Sequence, residues 1–294
     1  MMESDVIQQV GFEETNARGA LVRLSASYRA VLERHEYPET IKVLLGEALA
    51  AAVLLTSTIK FEGSLILQLQ NAGPISLLVV QCDQDFHVRA IARYDADDIV
   101  ALQHIEDEWQ NGVLSITIEA NNNNARYQGI VPLSHGGLAN CIEQYFAQSE
   151  QISTKVWLTA NGYVAAGFLL QAMPTEDTDV INMDWEHLAH LGSTITPHEL
   201  QTLGFQDILY RLYHSELVRL YETIPVSFRC TCSHDRVTET LRTLGKEEAL
   251  DIIKEQKQVS ITCQFCYQEY HFDAVDIEQI FSDHIIHPPT DKYV

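Results

Sequence analysis

Basic residues are scarce in this chain: 19 Lys and Arg stand against 41 Asp and Glu, a formal net charge of -22. Nucleic acids are bound through clustered cations that displace phosphate counterions, so this deficit argues against a DNA or RNA role and against attraction to an anionic membrane. Long apolar runs are also missing. The longest, Ala48 to Leu55, is far short of the roughly 20 residues a bilayer crossing requires, and no transmembrane span is expected. Met1 to Gln9 carries Glu3 and Asp5 instead of a basic stretch followed by an apolar one, so no secretory signal is read and a cytoplasmic location is expected. There is neither a Gly-rich phosphate loop with a following Lys nor an internal repeat at roughly 20 to 50 residues.

What is present suits a globular protein of two domains: 294 residues, 46% of them hydrophobic. Ala17 to Ser25 alternates like a strand, Glu39 to Ile59 reads as a long helix rich in Ala and Leu, and Ser64 to Gln70 alternates again. Ile75 to Gln81 and His87 to Tyr94 are expected to form a hairpin across the polar break Asp83 to Asp85, and Gly112 to Ala120 another with Tyr127 to Leu133, across Asn121 to Asn124. Leu138 to Glu150 reads as a helix, and Lys155 to Thr159 pairs with Tyr163 to Met173 across Asn161-Gly162, a strong hairpin signal. Hairpins with few interspersed helices predict an α+β fold.

From Thr175 to Phe228 the sequence predicts helices and no strand. Thr196-Pro197 supplies an N-cap and a first helical residue, and Leu209, Leu212, Tyr213, Leu217, Leu220 and Tyr221 fall on one face of an amphipathic helix. That face must be covered, either by plain packing on the first domain or as part of a linker that can be uncovered.

Six cysteines in a reducing compartment are metal ligands or redox thiols before they are structural disulfides. Cys82 and Cys141 are isolated and read as ordinary buried small residues. Cys230 with Cys232, and Cys263 with Cys266, form two close pairs about thirty residues apart. Two such pairs offer four sulfurs to one tetrahedral zinc ion, a closed site that leaves the thiolates electron-rich and open to oxidation. The segment from Cys230 onward is about 65 residues long, a size at which a core alone is marginal. Structural zinc contributes about 10 to 16 kcal/mol in small fingers, so losing the metal should unfold the segment.

Phe228-Arg229-Cys230-Thr231-Cys232-Ser233, Cys263-Gln264-Phe265-Cys266 with Tyr270 and Phe272, and Glu143 to Gln151 resemble the 33 kDa heat-shock proteins, the redox-regulated holdase chaperones of bacteria. The resemblance covers essentially the whole chain. It implies a strand-rich N-terminal chaperone domain over 1–178, a helical metastable linker over 179–229 and a C-terminal zinc redox-switch domain over 230–294. It implies one zinc per chain in a reduced, inactive monomer, and disulfides Cys230–Cys232 and Cys263–Cys266 on oxidation. Zinc release and unfolding of switch and linker would then expose a surface for unfolding client proteins in a dimeric form. The family works without ATP and passes clients to ATP-driven foldases after reduction.

Enzymatic readings are weaker. His214-Ser215-Glu216 with Cys263 and Cys266 loosely echoes a zinc deaminase, but Thr262 stands where that pattern has Pro, and four thiolates leave no open coordination position. His198-Glu199 lacks the second His of a zincin, and His271, His284 and His287 are surplus to four sulfurs. A thioredoxin-like role for Cys263 and Cys266 would need a helix start, where strand-like residues stand instead. The chain is expected not to be an enzyme.

Overall fold

A computed structural model describes residues 4–98, 109, 112–120, 126–173 and 178–282, with only the backbone for 178–183. It divides into two compact units, Met1–Arg229 and Cys230–Val294.

The N-terminal unit is built on two sheets. One has five strands in the order β10 (Val218–Pro225), β1 (Val6–Phe12), β2 (Ala17–Leu24), β9 (Ala165–Ala172) and β8 (Thr154–Ala160), antiparallel throughout. The other has six, in the order β11 (Ser227–Phe228), β5 (His87–Tyr94), β4 (Ile75–Asp83), β3 (Gly63–Ala72), β6 (Val113–Ala120) and β7 (Arg126–Pro132). Among the described strands only the short β11 runs parallel to its neighbour. The expected hairpins are all present, and Asn161 closes β8–β9 by accepting from the Tyr163 and Val164 N–H groups while Gly162 takes φ +81°. The loop Asn121 to Asn124 lies outside the described residues.

Helix α1 (Ala26–Leu32) is followed by α2 (Glu39–Ser57), which contacts strands of both sheets. Every residue from Ala48 to Thr56 is buried, as expected of a helix that is apolar all round and enclosed by protein. By length and composition α2 could cross a membrane; here its apolar surface is consumed by the core it shares with Leu65, Leu67, Leu69, Leu78, Val80 and Leu169.

The strands β2 and β9 are buried on both faces. Ala20, Val22 and Leu169 point to the α2 core, whereas Leu21, Phe168 and Leu170 point the other way, into a second core. That second core is closed by the chain after β9: α4 (Thr178–Gly192), α5 (Pro197–Thr202) and α6 (Phe205–Tyr213) contribute Leu188, Leu200, Phe205, Ile208, Leu209, Leu212 and Tyr213. Thr196 caps α5 as expected, in a reciprocal capping box with Glu199.

Two sequence expectations fail in this region. The single amphipathic helix through Tyr221 does not form: α6 stops at Tyr213, and Val218–Pro225 is the edge strand β10, so the segment 179–229 is not all-helical. The β-branched and aromatic residues of Val218-Arg-Leu-Tyr-Glu-Thr-Ile favour a strand, and β1 supplies its ladder. Leu209, Leu212 and Tyr213 are buried, but Leu217, Leu220 and Tyr221 are exposed. The helix expected over Leu138 to Glu150 is also interrupted. The α-helix α3 (Gly137–Tyr145) passes into one π-helical turn, Phe146–Glu150, that ends on Gln151 in the left-handed region.

In the C-terminal unit, α7 (His234–Leu244) and α8 (Lys246–Gln256) are followed by the hairpin β12 (Val259–Thr262) and β13 (Glu269–Phe272) and by α9 (Ala274–Ser282). Gly245, at φ +100°, makes the turn between α7 and α8. Among the described residues the core is small: Val237, Leu241, Ala249, Val259, Phe272, Ile277 and Ile280 are buried in it. A core of this size leaves the fold in need of a further cross-link.

Candidate metal centre

The two cysteine pairs are held by different local devices. Cys230 and Cys232 sit in the extended segment that leads into α7, whose start is capped by Ser233 accepting from the Arg236 N–H. The Arg236 guanidinium also reaches back to donate to Thr231 Oγ1 at 2.6 Å, fixing the residue between the two cysteines. Cys263 and Cys266 lie in the tight connection between β12 and β13. There Cys263 N–H donates to Gln268 O, Tyr267 N–H donates to Cys263 O, and Tyr267 takes φ +59°.

These devices bring all four sulfurs within 4.8 Å of one another. Cys230 Sγ lies 3.6 Å from Cys263 Sγ, and Cys232 Sγ lies 3.3 Å from Cys266 Sγ. A tetrahedral ion bound to four thiolates at about 2.3 Å has sulfur–sulfur edges of about 3.8 Å, so the tetrad has the dimensions of a four-thiolate metal site. All four side chains are half-buried. The cluster can hold one metal ion with no other residue type.

The electrostatics of the tetrad are those of groups that cannot all ionise unaided. Burial pushes the Cys230 thiol up, but hydrogen bonds from the Cys232 N–H and from the neighbouring thiols outweigh it and bring it down to about 7. Burial pushes Cys266 and Cys263 upward; hydrogen bonding to the other three sulfurs adds to this at Cys266, and the hydrogen bond to Cys230 adds to it at Cys263, so the first thiolate forms at the expense of the rest. A cation at the centre removes that conflict, since a coordinated thiol is deprotonated.

One contributor was not legible as a site residue. Tyr270 donates its hydroxyl to Cys232 Sγ at 3.2 Å, and this contact, more than burial, pushes its own pKa up to about 12. The available signal was alternation: Phe272 is wholly buried in the core, and Tyr270, two residues back on β13, shares its face.

The remaining candidates fall elsewhere. Cys82 and Cys141 are fully buried in the N-terminal core, where burial pushes the Cys82 thiol up to about 12. His271 Nδ1 is 3.0 Å from Ser260 Oγ, and His271 is not part of the tetrad. Glu199 is engaged by Thr196 and Arg211. His284 and His287 lie outside the described residues. A second close group, Asp83, Asp85 and His87, is a turn: Asp83 Oδ1 accepts from the Asp85 and His87 N–H groups.

Two sheets around one buried helix in one unit, and a four-cysteine cluster able to hold a metal ion in the other, define a class of protein with an α+β body and a cysteine-rich C-terminal module. The chain belongs to the Hsp33 family, whose model, described as Hsp33 protein, matches residues 5–273. It is 43% identical over 293 residues to the 33 kDa chaperonin of Pseudomonas fluorescens, covering 98% of this chain and 97% of that one. With the 33 kDa chaperonin of Nitrosococcus oceani it shares 44% identity over 290 residues, 99% of each chain. The crystal structure of the 33 kDa chaperonin (heat shock protein 33 homolog) of Thermotoga maritima matches with a TM-score of 0.81 and 22% identity, covering 95% of this chain and 98% of that one. That last likeness establishes the fold.

Proposed function

We propose that the protein is a redox-regulated, ATP-independent holdase chaperone in which Cys230, Cys232, Cys263 and Cys266 hold one zinc ion in the reduced state. The observation that carries this reading is the four-sulfur tetrad within 4.8 Å, set in a module with a small core. An all-sulfur donor set suits a soft divalent ion, and zinc would hold the thiols deprotonated and cross-link the module.

Oxidation works on the sulfurs. A thiolate attacks peroxide to give a sulfenic acid and hydroxide; a second thiolate attacks the sulfenic sulfur and displaces its oxygen as a second hydroxide, leaving a disulfide after a net transfer of two electrons to the peroxide. Each disulfide removes two ligands. In the folded tetrad the shortest sulfur approaches run across the pairs, Cys230 to Cys263 and Cys232 to Cys266. The proposed bonds are nevertheless Cys230–Cys232 and Cys263–Cys266. Once the first ligands are lost and the module loosens, only partners two or three residues away stay near at little loop-closure cost.

The body supplies the surface. Helices α4 to α6 cover Val10, Phe12, Leu21, Phe168 and Leu170 on the outer face of the five-stranded sheet. In the proposed mechanism 179–229 is a metastable linker that detaches when the switch unfolds, and the uncovered apolar face binds unfolding clients in a dimer. Reduction restores the thiols and releases clients to ATP-driven foldases. The cell compartment proposed is the cytoplasm, where thiols are held reduced until stress.

The test is made on one sample before and after peroxide at raised temperature: metal content, free thiols and suppression of aggregation of a heat-denatured client. One zinc lost with suppression gained, both reversed by dithiothreitol, is expected. Zinc retained with no suppression after the thiols are oxidised would reduce the tetrad to a structural site.

A further inference from the structure

One end of α2 opens into a cavity of about 420 Å³ between the two sheets of the N-terminal unit, a size within the range of small-molecule sites. Its walls are mainly aliphatic and aromatic: Leu55, Leu65, Ile116, Ile118, Phe146 and Ile152. Two cations line it as well. Arg18, on β2, is half-buried and donates from Nε to Gln171 Oε1 at 3.0 Å and from Nη2 to Thr58 O at 3.0 Å, both neutral acceptors. Lys60 is exposed beside it. Among the described residues neither makes an ion pair.

Among the described residues that line the cavity one is a carboxylate, and it is already engaged. Glu150 Oε1 accepts from the hydroxyls of Tyr127 at 2.8 Å and Tyr145 at 2.9 Å. Phe146 and Glu150 are the two ends of the π-helical turn that interrupts the helix after Tyr145. Such single π turns recur at functional sites, and the turn belongs to the Glu143 to Gln151 string, to which the thiol chemistry gives no role.

A guanidinium that has lost water to burial and gained only neutral acceptors lacks a counter-charge. In a chain of net charge -22, two unpaired cations beside one apolar cavity call for an anion with an apolar body. A neutral ligand would leave Arg18 as it is, and a cationic one would be repelled. We propose that this cavity binds a medium-chain anionic amphiphile, its carboxylate at Arg18 and Lys60 and its alkyl chain along the walls formed by Leu55, Leu65, Ile116, Ile118, Phe146 and Ile152.

The test is isothermal titration of the reduced full-length chain with octanoate, hexanoate and 1-octanol below their aggregation limits. Octanoate is expected to bind one per chain and hexanoate more weakly by roughly fourfold for each methylene removed. 1-Octanol should bind about tenfold more weakly than octanoate, because it lacks the charge-assisted contacts. Lys60→Gln, on the surface, should weaken octanoate binding about threefold to fivefold. Ile118→Trp should abolish it by filling the cavity, with circular dichroism confirming that the variant is folded. Equal binding of octanol and octanoate would overturn the proposal, as would octanoate affinity unchanged in both Lys60→Gln and Ile118→Trp.

Discussion

Tyr270 holds the sulfur of Cys232 through a hydroxyl 3.2 Å away, which makes this contact unlike the others at the tetrad. The hydrogen bonds that lower the Cys230 and Cys263 thiols include backbone N–H groups, those of Cys232 for the first and of Cys266 and Phe265 for the second. Backbone donors survive substitution; the phenol does not. Tyr270→Phe keeps the ring that packs against the small C-terminal core and removes only the donor. Outer-shell partners of metal ligands typically contribute about 10- to 100-fold in affinity. The variant should stay folded, bind zinc about tenfold more weakly in competition with a chromophoric chelator, and lose its thiols to peroxide faster. Unchanged affinity and oxidation rate would show that the phenol only packs.

The assignment of ligands is tested by serine substitution inside and outside the tetrad. Cys263→Ser or Cys266→Ser removes one of four sulfurs from the tetrad and should lose most bound zinc and with it the redox response. Cys82→Ser and Cys141→Ser alter residues buried in a different core and should keep a full zinc complement. Replacing the buried Cys82 thiol, which faces the Asp83 carbonyl at 3.6 Å, by a more strongly hydrated hydroxyl should cost about 1 kcal/mol of stability, read from urea unfolding. Zinc missing from either of these two variants would refute the ligand set.

Asp5 offers a pH-dependent test of the body alone. Its carboxylate accepts from the N–H groups of Ser25, Ala26 and Ser27 and from Ser27 Oγ, capping α1 from the residue just before β1, about twenty residues away. Burial pushes its pKa up, but these hydrogen bonds outweigh it and hold the carboxyl below its ordinary value. A group depressed in the folded state stabilises fully above its unfolded pKa of about 3.9 and loses that contribution as pH falls through the folded value. Asp5→Asn should cost about 1 kcal/mol at pH 7, after allowance for screening of a half-exposed group. The gap from wild type in urea unfolding should close between about pH 4 and the folded pKa. A gap that persists unchanged to pH 2.5 would place the effect of the substitution outside the carboxylate's charge.

How far the sequence could be read depended on whether neighbours in the chain are neighbours in space. The hairpins from Ser64 to Met173 follow from local periodicity and turn residues, and the grouping of the four cysteines follows from their spacing alone. Leu217, Leu220 and Tyr221 continued the apolar spacing of α6 by coincidence. What makes Val218–Pro225 a strand is pairing with β1, some two hundred residues earlier, which no window along the chain displays. The π-helical turn has no composition of its own to mark it. The cavity beside it joins β2, β3, β6, β7 and the end of α2, a conjunction that exists only in the fold.

The packing of α6 leads to the prediction that separates a covered client surface from a merely stable body. Leu212 is 3% exposed and lies in the core that α4 to α6 share with the outer face of β2 and β9. Leu212→Ala removes buried methyl groups and leaves a cavity, at a cost of about 2 to 5 kcal/mol. If this cover is the latch of a chaperone, the variant's linker should detach without oxidation. Reduced, zinc-loaded Leu212→Ala would then suppress client aggregation and bind apolar dye while its four tetrad thiols stay protected. Leu67→Ala makes a comparable cavity in the α2 core, on the other side of the five-stranded sheet, and controls for general destabilisation. It should lower the unfolding midpoint as much without adding activity below that midpoint. Equal activity in the two variants would make exposure of any core sufficient and would remove α6 from the switch.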